Sequence, residues 1–266
     1  MHARLTELLA IFVLEPLETN LFRGVHPPGT RGRLYGGQIM AQSLLAAGNT
    51  VKNRSVHSLH GYFLRPGDPS IPVVFKVEPI RDGASFSTRR VVAVQRGHAI
   101  FSMDASFQAG ESGVDHQSTM PGTAPPTRIP DLLLNDAFIA FRENYAEMKK
   151  MVPLPPRKRV WFRTNGSVAD DDPLLHAALL TYQSDDDLLS TARHPHRGSY
   201  DRSRMQGASL DHAMWFHRAA RIDQWMLYDL DSPSAAQARG FNRGTIYTAD
   251  GVLVASTMQE GLMRFR

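Results

Sequence analysis

The chain has 266 residues and a net charge of +4, and 42% of its residues are hydrophobic and 21% charged. These proportions are typical of an ordinary folded protein and argue against disordered, collagen-like and membrane-spanning classes. The chain contains no cysteine, which excludes disulfides, thiol nucleophiles and Cys-ligated metals and makes a cytoplasmic location the default expectation. The basic residues are scattered, so we expect no nucleic-acid partner.

The first half reads as a buried helix followed by strands. The N-terminal ten residues mix charges with leucines and predict a short amphipathic helix without membrane insertion. Residues 37–47 carry no charge and end at Gly48, so they predict a helix that is buried on all sides. Alternating apolar and polar residues then predict strands at 58–64, 73–77, 86–94 and 99–107.

A proline-rich segment divides the chain. Seven prolines lie between 121 and 156, and they bracket apolar residues at helical spacing from 132 to 151. This pattern predicts a linker that contains one amphipathic surface helix. We therefore expect an N-terminal module at 1–115, a linker at 116–158 and a C-terminal module at 159–266.

The second half repeats the plan of the first. It predicts a helix at 174–189, a strand from Ser209, a strand near 224–230 and a hairpin at 250–251. A buried helix that is followed by antiparallel strands wrapping around it is typical of a hot-dog module. We therefore predict the α+β class and a double hot-dog fold.

A common offset supports duplication. Ser58 and Ser209 begin equivalent predicted strands, Gln108 and Gln259 end them, and 209 − 58 and 259 − 108 are both 151. A site that is present in only one copy should depend on a group that the other copy lacks. That group is a carboxylate, because the first predicted helix has none.

The second predicted helix holds Asp185, Asp186 and Asp187 between leucines. A helix that is wrapped by a sheet should not hold acids unless they are paired or used. Asp185 is the preferred catalytic candidate. Simple solvation at a helix end remains an alternative, above all for Asp186 and Asp187, and a shifted register would leave open which acid acts.

Asp185, Ser209 and Gln259 together could hydrolyse a thioester. A carboxylate can take a proton from water while a hydroxyl and an amide align that water, and a thiolate with a pKa of about 8.5 leaves without a strong acid. Ser209 is not expected to be acylated, because the sequence 207–211 ends in Asp instead of the glycine of a nucleophile elbow. Backbone N–H groups at Gly36 and Gly37 are candidate oxyanion donors, with a plain turn as the alternative.

Six stretches carry a specific resemblance to the type II acyl-CoA thioesterases, the bacterial thioesterase II and its peroxisomal relatives: 21–24, 35–38, 56–68, 81–91, 210–218 and 250–261. The resemblance spans nearly the whole chain. It implies a double hot-dog fold and hydrolysis of medium- to long-chain acyl-CoA to fatty acid and coenzyme A.

Carried over residue by residue, the resemblance makes Asp185 the acid after Tyr182-Gln183-Ser184, and it puts Ser209 where the well-known bacterial type has Thr. Gln259 is the amide of its Gln-Glu-Gly motif. Gln38 and His57 lie in matching stretches and are added as oxyanion or substrate candidates, and His57 ranks below the three catalytic candidates because no acid partner is evident.

The remaining expectations concern ligands and partners. Candidate contacts for the coenzyme A phosphates, with surface solvation as the alternative, are Arg65, Arg89, Arg90, Arg239 and Arg243. The histidine pairs lack further ligands, so we expect no metal, and the chemistry needs no cofactor beyond the coenzyme A of the substrate. Exposed sheet edges and faces predict a homo-oligomer.

Two other functions remain open from the sequence. One is a hot-dog enoyl-CoA hydratase, which would use the adjacent Asp211 and His212 as its acid–base pair. The other is a non-catalytic acyl-CoA-binding protein that keeps an apolar tunnel but has no turnover.

Overall fold

A computed structural model describes residues 2–27, 29, 32–169, 171–199, 201 and 204–265. Its helices are α1 (Ala3–Ile11), α2 (Gly36–Gly48), α3 (Tyr145–Lys149), α4 (Pro173–Ser184) and α5 (Leu188–Thr191), with short 3-10 turns at Asp131–Asn135 and His194–His196. None of the helices in these residues combines the length and apolar character needed to cross a membrane.

The strands of the first half are β1 (Glu15–Glu18), β2 (Leu21–Gly24), β3 (Ser55–Phe63), β4 (Val73–Asp82), β5 (Phe86–Gln95) and β6 (His98–Gln108). Those of the second half are β7 (Phe138–Arg142), β8 (Arg157–Thr164), β9 (Met205–Ser209), β10 (Asp211–Phe216), β11 (Met226–Ala236), β12 (Arg239–Thr248) and β13 (Leu253–Phe265). The four strands predicted in the first half and the hairpin at 250–251 are confirmed.

All these strands form one antiparallel sheet in the order β1-β2-β4-β5-β6-β3-β10-β13-β12-β11-β8-β7, with β9 also paired to β13. The two halves of the sheet meet where β3 pairs with β10. From that junction the order is β3-β6-β5-β4-β2-β1 in the first half and β10-β13-β12-β11-β8-β7 in the second, so the two halves have the same arrangement. Each half has two strands before its buried helix, α2 or α4, and its remaining strands after it. The α+β double hot-dog fold is therefore confirmed, and its two modules share one continuous sheet.

The two central helices, α2 and α4, pack against each other in opposite directions. A Cβ atom added at Gly37 would lie 2.3 Å from the carbonyl oxygen of Tyr182, and one at Gly48 would lie 2.5 Å from Leu174. Glycine at both ends of α2 permits this close approach. As a result, the beginning of α2 lies beside the end of α4.

The linker prediction is wrong in one respect. Residues 132–151 do not form one surface helix, because they contain the strand β7 and only the short helix α3. Phe138 and Ile139 are buried where β7 pairs with β8. This edge strand belongs to the second module's part of the sheet, so the second module begins before the predicted boundary at 159.

The predicted helix at 174–189 is also interrupted. It ends at Ser184, and Asp187 adopts a left-handed conformation with φ of 68° before α5 begins. A left-handed residue cannot continue a right-handed helix. Asp185 therefore lies on a sharp turn at the end of α4.

The offset of 151 does not relate equivalent side chains. Gln259 is fully buried, whereas Gln108 is half-buried and donates a hydrogen bond to Glu111. Its neighbour Phe107 is the residue that enters the core. Because side chains alternate along a strand, a register that is wrong by one residue reverses the face, so Gln108 is not the counterpart of Gln259.

Candidate active site

Asp185 ends α4 beneath the first turn of α2, and only 7% of its side chain is exposed. The backbone N–H of Gly37 donates to its Oδ2 at 3.0 Å. A Cβ atom at Gly36 would lie 2.7 Å from the same oxygen. The carboxylate therefore meets the positive end of the helix dipole, where an anion is favoured.

The other carboxylate oxygen faces the two remaining catalytic candidates. The Nε2 of Gln259 donates to Asp185 Oδ1 at 2.7 Å, and the hydroxyl of Ser209 donates to the same atom at 3.5 Å. Ser209 and Gln259 come from β9 and β13, and β13 is the strand beside both β9 and β10. The structure thus brings the three predicted residues together around one carboxylate.

Burial raises the pKa of the Asp185 carboxyl above its ordinary value, and hydrogen bonds from Gln259 and Gly37 lower it without restoring it. The positive charge of Arg33 acts in the same direction as these bonds. A carboxylate with a raised pKa is a better proton acceptor than an exposed one.

Asp186 and Asp187 have structural partners instead. Asp187 accepts from the Nζ of Lys158 at 2.9 Å and from the Nε of Arg142 at 2.8 Å. Burial raises the pKa of Asp187, but Lys158 and Arg142 outweigh this effect and leave it lowered. Asp186 pairs with Arg142 at 3.1 Å. Of the three acids, only Asp185 contacts Ser209 and Gln259, so the structure favours Asp185 as the acid at this site.

His212 is a member of the site that the sequence indicated only for a different reaction. It is fully buried on β10, with Nδ1 3.1 Å from Gln259 Nε2 and Nε2 3.1 Å from Ser184 Oγ. Burial lowers the pKa of His212 to about 3. The sequence did contain one signal for this residue: a histidine on a strand that packs against the buried helix, where a charged side chain is costly.

The structure does not pair Asp211 with His212, as the hydratase hypothesis requires. Asp211 accepts from the backbone N–H of Glu260 at 2.7 Å and contacts His60 at 3.1 Å. His212 is turned to the interior, because neighbouring residues on a strand point to opposite faces. The Asp211–His212 hypothesis is therefore wrong in its geometry.

Two of the other oxyanion or substrate candidates do not contact Asp185. The side chain of Gln38 donates to the carbonyl of Val25 at 3.2 Å and contacts His26. The ring of His57 forms a hydrogen bond with Ser106 at 2.8 Å. His57 lines a cavity beside the end of α2 and the start of α4, whereas Asp185 lies at the other ends of these helices. Gly36 and Gly37 are the candidates that lie at Asp185.

Most of the arginines predicted to bind phosphate are already paired. Arg89 is buried and bonded to Asp82, while salt bridges join Arg90 to Asp104, Arg239 to Glu260 and Arg243 to Asp231. Arg89 is therefore a structural residue. Arg65 is exposed and donates to the carbonyl of Ala99 at 2.7 Å.

Two further residues support the site without having been singled out in the sequence. Arg33 is exposed and donates at 3.0 Å to the carbonyl of Gly207, which lies on β9, the strand that carries Ser209. The hydroxyl of Tyr228 donates to the carbonyl of Ser184 at 3.0 Å and holds the end of α4. Both contacts link residues far apart in the chain, so no local pattern marks them.

Known proteins match both halves of the chain. A family described as acyl-CoA thioesterase matches residues 143–262, and one described as acyl-CoA thioesterase N-terminal domain matches residues 25–108. Acyl-coenzyme A thioesterase 8 of Mus musculus is 41% identical over 288 residues, which cover 97% of this chain and 88% of that protein.

Bacterial proteins are similarly close. Acyl-CoA thioesterase 2 of Haemophilus influenzae is 36% identical over 281 residues, which cover 98% of both chains. The crystal structure of the acyl-CoA thioesterase II TesB2 from Mycobacterium marinum is 46% identical, covers 97% of each chain and superposes with a TM-score of 0.85. The chain therefore belongs to the acyl-CoA thioesterase family, and the protein is an enzyme that hydrolyses acyl-CoA thioesters.

Proposed function

We propose that hydrolysis proceeds by direct attack of a water molecule held by Asp185, Gln259 and Ser209, without a covalent acyl-enzyme, a metal or a further cofactor. The observation that carries this proposal is the Oε1 of Gln259, which is buried and has no hydrogen-bond partner among the described residues. It belongs to the amide whose nitrogen binds Asp185. An unpartnered buried carbonyl costs about 1–3 kcal/mol, so this oxygen favours a water donor beside the carboxylate.

The reaction balances with these groups alone. The water donates its hydrogens to Asp185 and to Gln259 Oε1, which aims an oxygen lone pair at the thioester carbon. As the C–O bond forms, Asp185 takes a proton, and the tetrahedral intermediate then expels the coenzyme A thiolate as the C–S bond breaks. The proton returns from Asp185 to the thiolate or to solvent, leaving a free fatty acid.

The developing oxyanion requires donors, and the first turn of α2 supports this role. The first N–H groups of a helix have no partner within the helix. That of Gly37 is engaged by Asp185, which leaves the neighbouring N–H groups of Gly36 and Gln38 for the thioester oxygen. This assignment uses the backbone of Gln38 and not its side chain.

Medium- to long-chain acyl groups are the proposed substrates. A cavity of about 600 Å³ lies between the end of α2 and the start of α4, and its apolar lining includes Leu174, Leu180 and Phe216. Phe216 lies on the same face of β10 as Met214 and His212, because alternate residues of a strand share a face. This face therefore leads from the site to the cavity. We propose that the acyl chain runs from Asp185 past Met214 into this cavity.

Mass spectrometry of the intact protein tests the direct attack. The enzyme is mixed rapidly with a saturated acyl-CoA and quenched during turnover. We expect no increase in protein mass, and we expect Ser209→Ala to keep measurable turnover, because a water ligand is partly replaceable and a nucleophile is not. An acyl adduct on Ser209, together with complete loss of activity in Ser209→Ala, would overturn the proposal.

Coenzyme A binding and assembly remain further proposals. Arg65 is the proposed phosphate contact, because it is exposed and forms no ion pair with a carboxylate in the described part of the chain.

A homo-oligomer is supported by Tyr62, Trp215 and Met258, which are 54%, 39% and 39% exposed on adjacent central strands. Light scattering of wild type and Trp215→Lys tests this, since a mass that corresponds to one chain in the wild type would contradict it. The complete lack of cysteine supports a cytoplasmic location.

A further inference from the structure

We infer that His212 is a positioning residue that fixes which way round the amide of Gln259 stands, and so directs Gln259 Oε1 to the attacking water. This inference rests on the proposed function. It assigns no chemical step to His212 itself. The evidence is a chain of hydrogen bonds in which each donor can be identified.

The chain begins at the end of α4. The hydroxyl of Ser184 donates to the carbonyl of Thr181 at 2.9 Å, so its only hydrogen is used. The same Oγ lies 3.1 Å from His212 Nε2. It can only accept there, so Nε2 of His212 carries the proton.

That tautomer decides the role of the other ring nitrogen. In a neutral imidazole with a proton on Nε2, Nδ1 is an acceptor. Burial lowers the pKa of His212 to about 3, so the ring stays neutral at physiological pH. Nδ1 therefore accepts from Gln259 Nε2, which lies 3.1 Å away.

Gln259 then has no remaining choice of orientation. One hydrogen of its Nε2 goes to His212 and the other to Asp185 Oδ1 at 2.7 Å. A rotated amide would place Oε1 against a carboxylate oxygen and an imidazole lone pair, which repel it. Asp185 and His212 together hold the amide so that Oε1 points away from both of them. In that position Oε1 has no hydrogen-bond partner among the described residues.

The test compares two substitutions of His212 in the full-length enzyme. His212→Leu removes the acceptor, whereas the side-chain oxygen of His212→Asn can take the place of Nδ1. We expect kcat for a saturated acyl-CoA to fall about 10- to 100-fold in His212→Leu, as for loss of a buried hydrogen bond, while KM changes by less than about twofold. His212→Asn should recover a large part of kcat.

A matched control separates positioning from packing. His194 is also buried and bonds the carbonyl of Arg157 through Nδ1, but it lies outside the site. His194→Leu should lower the melting temperature without changing kcat of the folded fraction. Loss of kcat in His194→Leu equal to that in His212→Leu would overturn the inference, because packing alone would then explain both.

The closing experiment adds His212→Leu to Gln259→Ala. If His212 acts through Gln259, the second substitution lowers kcat by less than about threefold beyond the first. Independent, multiplied losses overturn the inference but leave the proposed function intact. A fully active Gln259→Ala overturns the proposed function instead. If His212→Leu does not fold, His212→Ala, which also lacks the acceptor, takes its place in both backgrounds.

Discussion

The backbone N–H of Gly37, at the start of the first module's helix, donates to Oδ2 of Asp185, at the end of the second module's helix. The site is therefore shared between the modules. The second module supplies the acid, and the first supplies the helix N-terminus that faces it. The antiparallel packing of α2 against α4 creates two such junctions, and this one holds Asp185.

Gly36→Ala tests how tightly this junction is built. The new Cβ would lie 2.7 Å from Asp185 Oδ2 and 2.9 Å from Phe63, and the carboxylate is held by several hydrogen bonds. We expect kcat to fall at least about tenfold, since a displacement near 1 Å can cost two orders of magnitude. Steady-state kinetics check this. Gly122→Ala, where a Cβ meets open space, is the matched control and should retain full activity.

The raised pKa of Asp185 predicts a link between pH and stability. Because the folded-state pKa exceeds the unfolded-state value, Asp185 favours folding while protonated, and this contribution is lost as pH rises through the folded-state pKa. The free energy of unfolding of Asp185→Asn relative to wild type should therefore increase from about pH 4 to about pH 8, by about 1.4 kcal/mol per unit of raised pKa. Urea unfolding at both pH values measures it, and a constant difference would contradict the prediction.

Lys158 and Asp187 predict a structural effect without a catalytic one. Their side chains are only 1% and 6% exposed, so loss of the lysine leaves a buried carboxylate with Arg142 as its remaining cation. Lys158→Met should lower the free energy of unfolding by about 3 kcal/mol. Arg243→Met, which breaks an exposed pair with Asp231, should cost less than about 1 kcal/mol. Equal losses in the two variants would refute this distinction.

Met214 predicts chain-length selectivity. It is fully buried between His212 and the cavity at Phe216. Met214→Trp should lower kcat/KM for long acyl chains by about tenfold or more and spare short ones, because an overfilled passage excludes methylenes. A series of saturated acyl-CoA esters measures the shift. A uniform loss at every chain length would show that the acyl chain takes another route.

Much of the fold could be predicted because its signals are local. The uncharged run that became α2 and the alternation of β6 need only neighbouring residues to be recognised. The segment at 132–151 misled because apolar residues there suit a helix face, while pairing with β8 decides for a strand. Tertiary pairing of this kind outweighs local propensity.

The residues of the site also divide into those with a local signal in the sequence and those that depend on long-range contacts. Asp185 stood out because acids are costly in a wrapped helix, and the structure gives it the partners that such a residue requires. The paired offset of Gln108 and Gln259 misled, because sequence identity across a repeat does not reveal a change of face. The role inferred for His212 depends on contacts with Ser184 and Gln259, and these are long-range contacts that no spacing could indicate.

The most direct test of the mechanism is thiol release from a saturated long-chain acyl-CoA by wild type, Asp185→Asn and Gln259→Ala. The proposed water attack predicts rapid release by wild type and a loss of at least about 100-fold in kcat in each variant, with both variants folded. Release that persists within about threefold of wild type in both variants would contradict the assignment of the attacking water to Asp185 and Gln259.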